Sequence, residues 1–356
     1  MPRLERRAHR SPMAAIISLL LALMLTLAAG SLIFAALGKP PIEALAVIFI
    51  APLTTTRGVA ELLVKATPLI LIAAGLALTF RANVWNIGAE GQYTIGALTG
   101  GGVAMAAWPG GGVWLLPCMC LAGALGGAAW AMIPAVLKTQ AGVSEVLVSL
   151  LLTYVAVLLL TVLLDGPLRD PSGMNFPESR LFQDAARMPL LMAGTRAHFG
   201  FVVAVLAAAL AEFVLVRHLF GFGIRVLGAS PSSARFAGFS GAPIVWSSFA
   251  ISGALAGLAG VFEAAGPVGQ LVPQLPAGYG FSAIIVAFLG RLHPLACVPA
   301  GLVIALISNG GEAAQIAYGL PAAVKIVFQG LLLVFLIGTD VLATHRLRWR
   351  TGASWS

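Results

Sequence analysis

From Gly91 to Leu137 the chain carries no charged residue. A spanning helix needs about 20 largely apolar residues, so this stretch can supply two crossings. Trp108-Pro109-Gly110-Gly111-Gly112 supplies a turn between them. Composition agrees with that reading. The 356 residues are 59% hydrophobic and 10% charged, against about 25% charged in a soluble domain. A water-soluble fold would lack the polar surface to cover itself. The 41 glycines and 21 prolines follow no fixed period, which excludes a collagen-like chain. The expected fold is all-α, a polytopic transmembrane helical bundle of about ten spans in one domain over residues 1–356.

Met13–Gly38 is uncharged and follows Arg3, Arg6, Arg7 and Arg10. It is longer than the roughly 7–15 apolar residues of a secretory signal and reads as an uncleaved first span, with a twin-arginine export signal as the alternative. Val146–Leu164, Leu292–Gly311 and Ala322–Thr339 read as further spans. So do His198–Val216, which carries Glu212, and Ala242–Ala265, which carries Glu263. Val59–Phe80 holds Glu61 and Lys65 near its start. Phe281–Leu289 is short, and must extend back through Val268–Gly280 or be re-entrant.

Charge orients the bundle. With ten spans and a cytoplasmic N-terminus, the inside holds Arg3, Arg6, Arg7, Arg10, Arg81, Lys138, Arg217, Arg225, Arg235, Arg291, Arg346, Arg348 and Arg350. That is thirteen of the 21 Lys and Arg. The remaining eight lie outside among acids. This asymmetry follows the positive-inside rule and places both termini in the cytoplasm. Residues 165–197 then form an external loop, 217–241 a cytoplasmic segment and 340–356 a cytoplasmic tail. The net charge of +8 is thus a topology signal and implies a lipid bilayer, not a nucleic acid, as the surrounding partner. Cys118, Cys120 and Cys297 lie inside apolar stretches without metal-ligand spacing and read as small buried hydrophobes.

Two segments carry more polar chemistry than packing needs. Phe80-Arg81-Ala82-Asn83-Val84-Trp85-Asn86-Ile87-Gly88-Ala89-Glu90-Gly91-Gln92 joins two apolar runs without a spacer. Polar backbone at that depth is tolerated where it faces protein or a water-filled cavity, and an intramembrane carboxylate is functional by default. Asn83, Trp85, Asn86, Glu90 and Gln92 are therefore candidates for a substrate pathway, together with Glu263 and Asn309. The alternative is a plain cytoplasmic turn, which Arg81 favours. Asn309-Gly310-Gly311-Glu312 combines flexible backbone with hydrogen-bonding groups beside a span, and Lys325 can pair with Glu312. Glu145 and Glu212 read as interfacial side chains.

The second segment is Gly221–Gly241. Ser230-Pro231 reads as an N-cap followed by Pro at the first helical position, and Gly238 as the terminator. The short helix between them shows Arg235 and Phe236 to the cytoplasm. A helix of that length is unstable alone, so it packs on its own spans or on a partner. Glycines 253, 257 and 260 have the small-residue spacing that lets helices approach closely.

There is no G-x-x-x-x-G-K-[ST] loop, so the chain does not hydrolyse ATP by itself. No nucleophile–base set and no metal-ligand spacing occurs, and neither an enzyme nor a resident cofactor is expected. A secondary transporter or channel using Glu90 or Glu263 as a proton site is the rival from another class. It would be expected to show half-and-half repeats, and none is evident.

These two segments resemble those of a known family. F-R-A-N-V-W-N-I-G-A-E-G-Q resembles the signature of ABC-transporter permeases of the nucleoside and simple-sugar class, within the branched-chain amino acid and ribose permease family. V-L-G-A-S-P-S-S-A-R-F-A-G-F-S-G, residues 226–241, resembles the same family's coupling segment, G-x-N-P-x-A-A-x-x-x-G-I. Gly228, Pro231, Ala234 and Gly238 match. Ser230, Ser233 and Phe239 replace the usual Asn, Ala and Ile. The resemblance implies a bacterial inner-membrane importer subunit for nucleosides or simple sugars, pairing with a second permease as a homo- or heterodimer. It implies an ABC ATPase, binding the ATP, docked on Arg225, Gly228, Ser230, Pro231, Ala234, Arg235, Phe236 and Gly238. It also implies an extracytoplasmic substrate-binding protein or lipoprotein.

Overall fold

The structure is a computed structural model describing residues 3–6 and 12–348. Arg7, Arg10, Arg350 and the end of the expected tail lie outside the described residues. The first span, α1 (Pro12–Ala36), ends near Gly38 in the left-handed conformation, the usual stop for a helix. Pro40-Pro41 opens α2 (Pro41–Phe49), where a proline at the first position forfeits no hydrogen bond. There follow α3 (Thr56–Arg81), α4 (Ala89–Ala106), α5 (Leu115–Ala141), α6 (Glu145–Asp165), α7 (Gly200–Arg217), α8 (Leu219–Ala229) and α9 (Pro231–Phe236). The chain continues with α10 (Gly241–Glu263), α11 (Tyr279–Leu289), α12 (Cys297–Tyr318) and α13 (Ala323–Thr344). Two four-residue strands, β1 (Arg3–Arg6) and β2 (His345–Arg348), pair antiparallel beside the helices of an all-α fold.

Eight helices among the described residues are long and apolar enough to cross a membrane. Two crossings of the ten-span reading fall outside that set, for different reasons. The α4 helix has eighteen residues, but its glycines and polar start dilute its apolar character. The eleven residues of α11 reach about 16 Å, half of a bilayer core. The helix does not extend back through Val268–Gly280. A π-helical turn at Ala264–Val268 ends α10 at Pro267, where the missing N–H and the ring disrupt the ladder. Residues 269–278 are irregular, bounded by left-handed Gly269 and Gly278 (φ +77° and +84°). The Leu292–Gly311 span is also displaced: its helix starts at Cys297 and runs to Tyr318, so Asn309–Glu312 lies inside a continuous helix and not in flexible chain beside one.

Contacts group the expected membrane domain into two compact units, residues 1–55 with 306–356 and residues 56–305. In the first, α1 packs against α13. The Phe328 ring covers Gly30, stacks on Phe34 at 5.6 Å between centroids, and Thr339 donates to the Ser18 carbonyl at 2.9 Å. Lys325 pairs with Glu312 at 3.2 Å, as its spacing predicts.

The second unit is built around α3, whose apolar window is 89% buried, whereas α5, α6 and α7 are each under a third buried. Every face of α3 meets protein, which explains why it is apolar all round. Beside it α4, α5 and α10 touch through glycines. A Cβ on Gly257 would strike the Gly123 carbonyl, and one on Gly260 the Tyr93 carbonyl. The small-residue spacing read from the sequence is therefore the contact surface itself.

Candidate functional site

The segment between α3 and α4 is held by its own polar residues. Asn83 is left-handed (φ 57°) and ends α3: its N–H bonds the Phe80 carbonyl at 3.0 Å, and Val84 N–H bonds the Thr79 carbonyl at 3.0 Å. Both bonds close carbonyls a helix end leaves open. The Asn83 side chain is exposed. Trp85, partly exposed, packs near Phe80 and Phe288 at 5.0 and 6.1 Å. Its N–H donates to Glu145 Oε1 at 3.2 Å, and Lys138 Nζ sits 2.6 Å from Glu145 Oε2. Glu145, read as interfacial, is instead buried at the start of α6 and ties the segment between α3 and α4 to the end of α5, because the Trp85 amide needs an acceptor and Lys138 neutralises the charge.

Asn86 and Gln92 are fully enclosed and form a reciprocal amide pair, each side chain donating to the other at 2.9 Å. Asn86 also donates to Ser252 Oγ at 3.1 Å and accepts from Gly88 N–H at 3.2 Å. Both side chains donate within the protein. The reason is burial: an amide with no bond would cost more than this closed pair.

Glu90 is also buried. Its carboxylate accepts from the Gly278 N–H at 2.7 Å and from the Gly280 N–H. Those are free donors at the start of α11. The starts of α4 and α11 thus meet around one carboxylate, which compensates the positive ends of both helices. No Cβ fits at Gly280, because it would run into the Glu90 backbone. Arg81 holds the other end of α11: its Nε donates to the Leu292 carbonyl at 3.1 Å and its Nη2 to Arg291 O at 3.5 Å.

Glu263 lies at the far end of α10. Its Oε2 and the buried Tyr93 hydroxyl have no hydrogen-bond partner among the described residues. Asn309 belongs to the other unit. Asn83, Trp85, Asn86, Glu90 and Gln92 thus share one segment of the 56–305 unit, with Glu263 at the far end of α10 in the same unit.

The capped helix read within residues 221–241 forms, with one addition. Ser230 Oγ accepts from Ser233 N–H at 3.2 Å, Pro231 starts α9 and Gly238 (φ +82°) ends it, with Phe239 N–H on the Ala234 carbonyl at 2.9 Å. Ala234 enters an apolar cluster with Leu78, Leu215, Leu227 and Phe249, while Phe236 is 98% exposed and Arg235 is exposed. Arg225 lies 6.0 Å from the Phe222 ring. The addition is α8, capped by the His218 ring accepting from Phe220 N–H at 3.1 Å. The sequence reading passed over that histidine, although its place before an apolar run was the signal. Gly228 lies directly on the Arg81 carbonyl, with no room for a Cβ.

At the opposite end, the 165–197 loop pairs with the chain after α10. Ser179 N–H bonds the Leu271 carbonyl at 3.0 Å, Phe182 N–H that of Gly269 at 2.8 Å, and Met188 N–H that of Ala265 at 2.9 Å. Arg196 forms a two-pronged pair with Glu61 at 2.6 and 2.9 Å, which holds its guanidinium above the ordinary range. Glu212, read as interfacial, pairs with His293 Nδ1 at 3.1 Å.

The branched-chain amino acid transport system permease component family matches residues 58–337. This chain belongs to that family. A glucose ABC transporter permease of Haloferax volcanii is 38% identical over 338 residues, covering 92% of this chain and 88% of its own. A guanosine ABC transporter permease of Bacillus subtilis is 30% identical over 322 residues, 89% of this chain and 91% of its own. A nucleoside ABC transporter permease of Lactococcus lactis is 26% identical, covering 88% of each chain. The permease is a multi-pass membrane protein, with the apolar helices this requires. As family members these chains are transport subunits, and the family works with ATPase and substrate-binding partners in general.

Proposed function

We propose that this permease carries nucleosides or simple sugars inward across a bacterial cytoplasmic membrane, pairing with a second permease to form the path. The observation that carries the reading is α9: a capped helix seated on its own spans by Ala234, with Phe236 and Arg235 left on the surface. An exposed aromatic beside an arginine is the composition of a protein-binding anchor. An ABC ATPase docked there, and binding the ATP, would move the Arg225–Gly238 segment and drive alternating access. An extracytoplasmic binding protein or lipoprotein would deliver the ligand at the end formed by 165–197.

Orientation is part of this proposal. Arg81, Gly228 and Leu292 meet at one end of the 56–305 unit, and the 165–197 loop pairs with 265–271 away from them. Charge assigns the first end to the cytoplasm. The pairing of β1 with β2 sets residues 3–6 beside 345–348, which agrees with an even number of crossings between them. In the proposed path Asn83 and Trp85 are the surface groups, and Asn86, Glu90 and Gln92 support them from behind. The substrate class draws on relatives named for glucose, guanosine and nucleosides.

The test is reconstitution in proteoliposomes with the ATPase, the second permease and the binding protein. ATP-dependent uptake of labelled guanosine or glucose is expected, with none from this chain alone. Arg235→Glu combined with Phe236→Asp should release the ATPase. Uptake by the isolated chain down a gradient, or an ATPase that stays bound to the double variant, overturns the reading.

A further inference from the structure

We propose that Arg81 and Glu90 are positioning residues that grip the two ends of α11, and that this half-helix is the element on which the coupling segment acts. The inference rests on the reading of α9 as the ATPase docking helix.

Four observations meet here. Glu90 accepts from the Gly278 and Gly280 N–H groups, so the start of α11 is fixed to the start of α4. Arg81 donates to the Leu292 and Arg291 carbonyls just past its end. Arg291 and Leu292 are both left-handed (φ 53° and 58°) without being glycine, a conformation that persists only where surrounding contacts impose it. Along the helix, Phe288 stacks on Phe80 and Trp85 at 5.7 and 6.1 Å, and Tyr279 lies 6.0 Å from Tyr93. One sequence segment, 80–93, therefore touches α11 at its start, its side and its end.

The coupling segment reaches this grip without an intervening side chain. The Gly228 backbone rests on the Arg81 carbonyl, and any Cβ there would collide with it. Displacement of α8 and α9 must move Arg81, and Arg81 is bonded to the chain that ends α11. Packed backbone transmits such a shift because interiors have low compressibility. At the other end Gly278, left-handed and preceded by irregular chain from Gly269, gives α11 a joint. An eleven-residue rod held at a joint and pushed at its tip tilts as one body. Continuous spans lack that joint. On this view Glu90 is the pivot and not a proton or ligand site.

The experiment uses the reconstituted complex with Cys118, Cys120 and Cys297 replaced by serine and one cysteine placed at Phe281, an exposed position on α11. The rate of labelling by a water-soluble maleimide is measured without nucleotide and with ATP and vanadate. The parent complex should show a nucleotide-dependent rate. With Arg81→Ala that dependence should vanish and uptake should fall about tenfold or more, while the ATPase still co-purifies. Arg81→Lys, which keeps the charge and a donor, should restore part of both and answers the case in which the alanine variant fails to fold. A parent rate indifferent to nucleotide, or an Arg81→Ala rate that still follows it, overturns the proposal. Failure of the docking reading is separate: it shows as an ATPase that stays bound to the Arg235→Glu, Phe236→Asp variant, whatever happens at position 281.

Discussion

The segments 80–92 and 225–238 contain similar proportions of polar residues and use them in opposite ways. In the first, Asn86, Glu90 and Gln92 are buried, and their hydrogen bonds go to one another, to the Ser252 hydroxyl and to backbone N–H groups. In the second, Ser230 closes its own helix start and leaves Arg235 and Phe236 at the surface. A polar group inside an apolar body must find its partners there, and the groups most in need are broken helix ends. A polar group at the water boundary has solvent as an alternative, so local capping suffices and the rest of the helix stays available to another protein. The comparison teaches that an acid deep in such a bundle is first a candidate for holding backbone.

The sharpest way to break this contrast is Glu90→Ala. It leaves the Gly278 and Gly280 donors unpaired in the interior and should destabilise the detergent-solubilised permease by about 3 kcal/mol, read as a fall in the thermal midpoint. An unchanged midpoint would show that the carboxylate holds nothing. Next comes Gly228→Val, whose side chain has no space beside the Arg81 carbonyl. Overpacking of that kind costs about 1–3 kcal/mol and should appear in the same melt. Ser230→Ala removes a cap that the solvent can partly replace, so a loss of about 1 kcal/mol is expected, confined to faster amide exchange over 231–236. Phe236→Asp should leave stability within about 0.5 kcal/mol while abolishing ATPase association, and a large drop in the melt would show that the ring belongs to the core.

The smallest effect lies in the 165–197 loop. Ser172 donates its N–H and hydroxyl to Asp170, at 3.0 and 2.8 Å, and holds that carboxyl below its ordinary value. A lowered carboxyl stabilises the folded loop above its unfolded value and loses that contribution as pH falls through the folded one. Exchange protection around Ser172 should therefore be flat from neutral pH down to about 4 and decline below it. Asp170→Asn should remove the pH dependence, and protection that falls already near neutrality would reject the assignment.

Much of this was legible in the chain. Uncharged runs marked the continuous spans, because lipid tolerates neither charge nor open backbone. The cap signals at Ser230, Pro231 and Gly238 placed α9 within one residue, because capping is chemistry between near neighbours. Gly253, Gly257 and Gly260 marked a close helix contact for the same local reason. Less visible was what the buried polar groups do. Glu145 and Glu212 read as interfacial because nothing in their own stretch showed Lys138, the Trp85 amide or His293 coming to meet them. For the segment before α11 the sequence left two readings open, extension back through Val268–Gly280 or re-entry, and the depth at which α11 starts was not legible.

The sequence by itself therefore determined the solvent the protein lives in, its helical character, its family and its short capped helix. These depend on composition and on residues a few positions apart. Tertiary structure alone decided the partners of each buried polar group: that Glu90 caps a helix 188 positions further along, and that Arg81 closes the same helix 211 positions away. Such pairs form because an unmet donor in the interior is costly wherever its acceptor stands in the chain, and distance along a sequence says nothing about distance in a folded bundle.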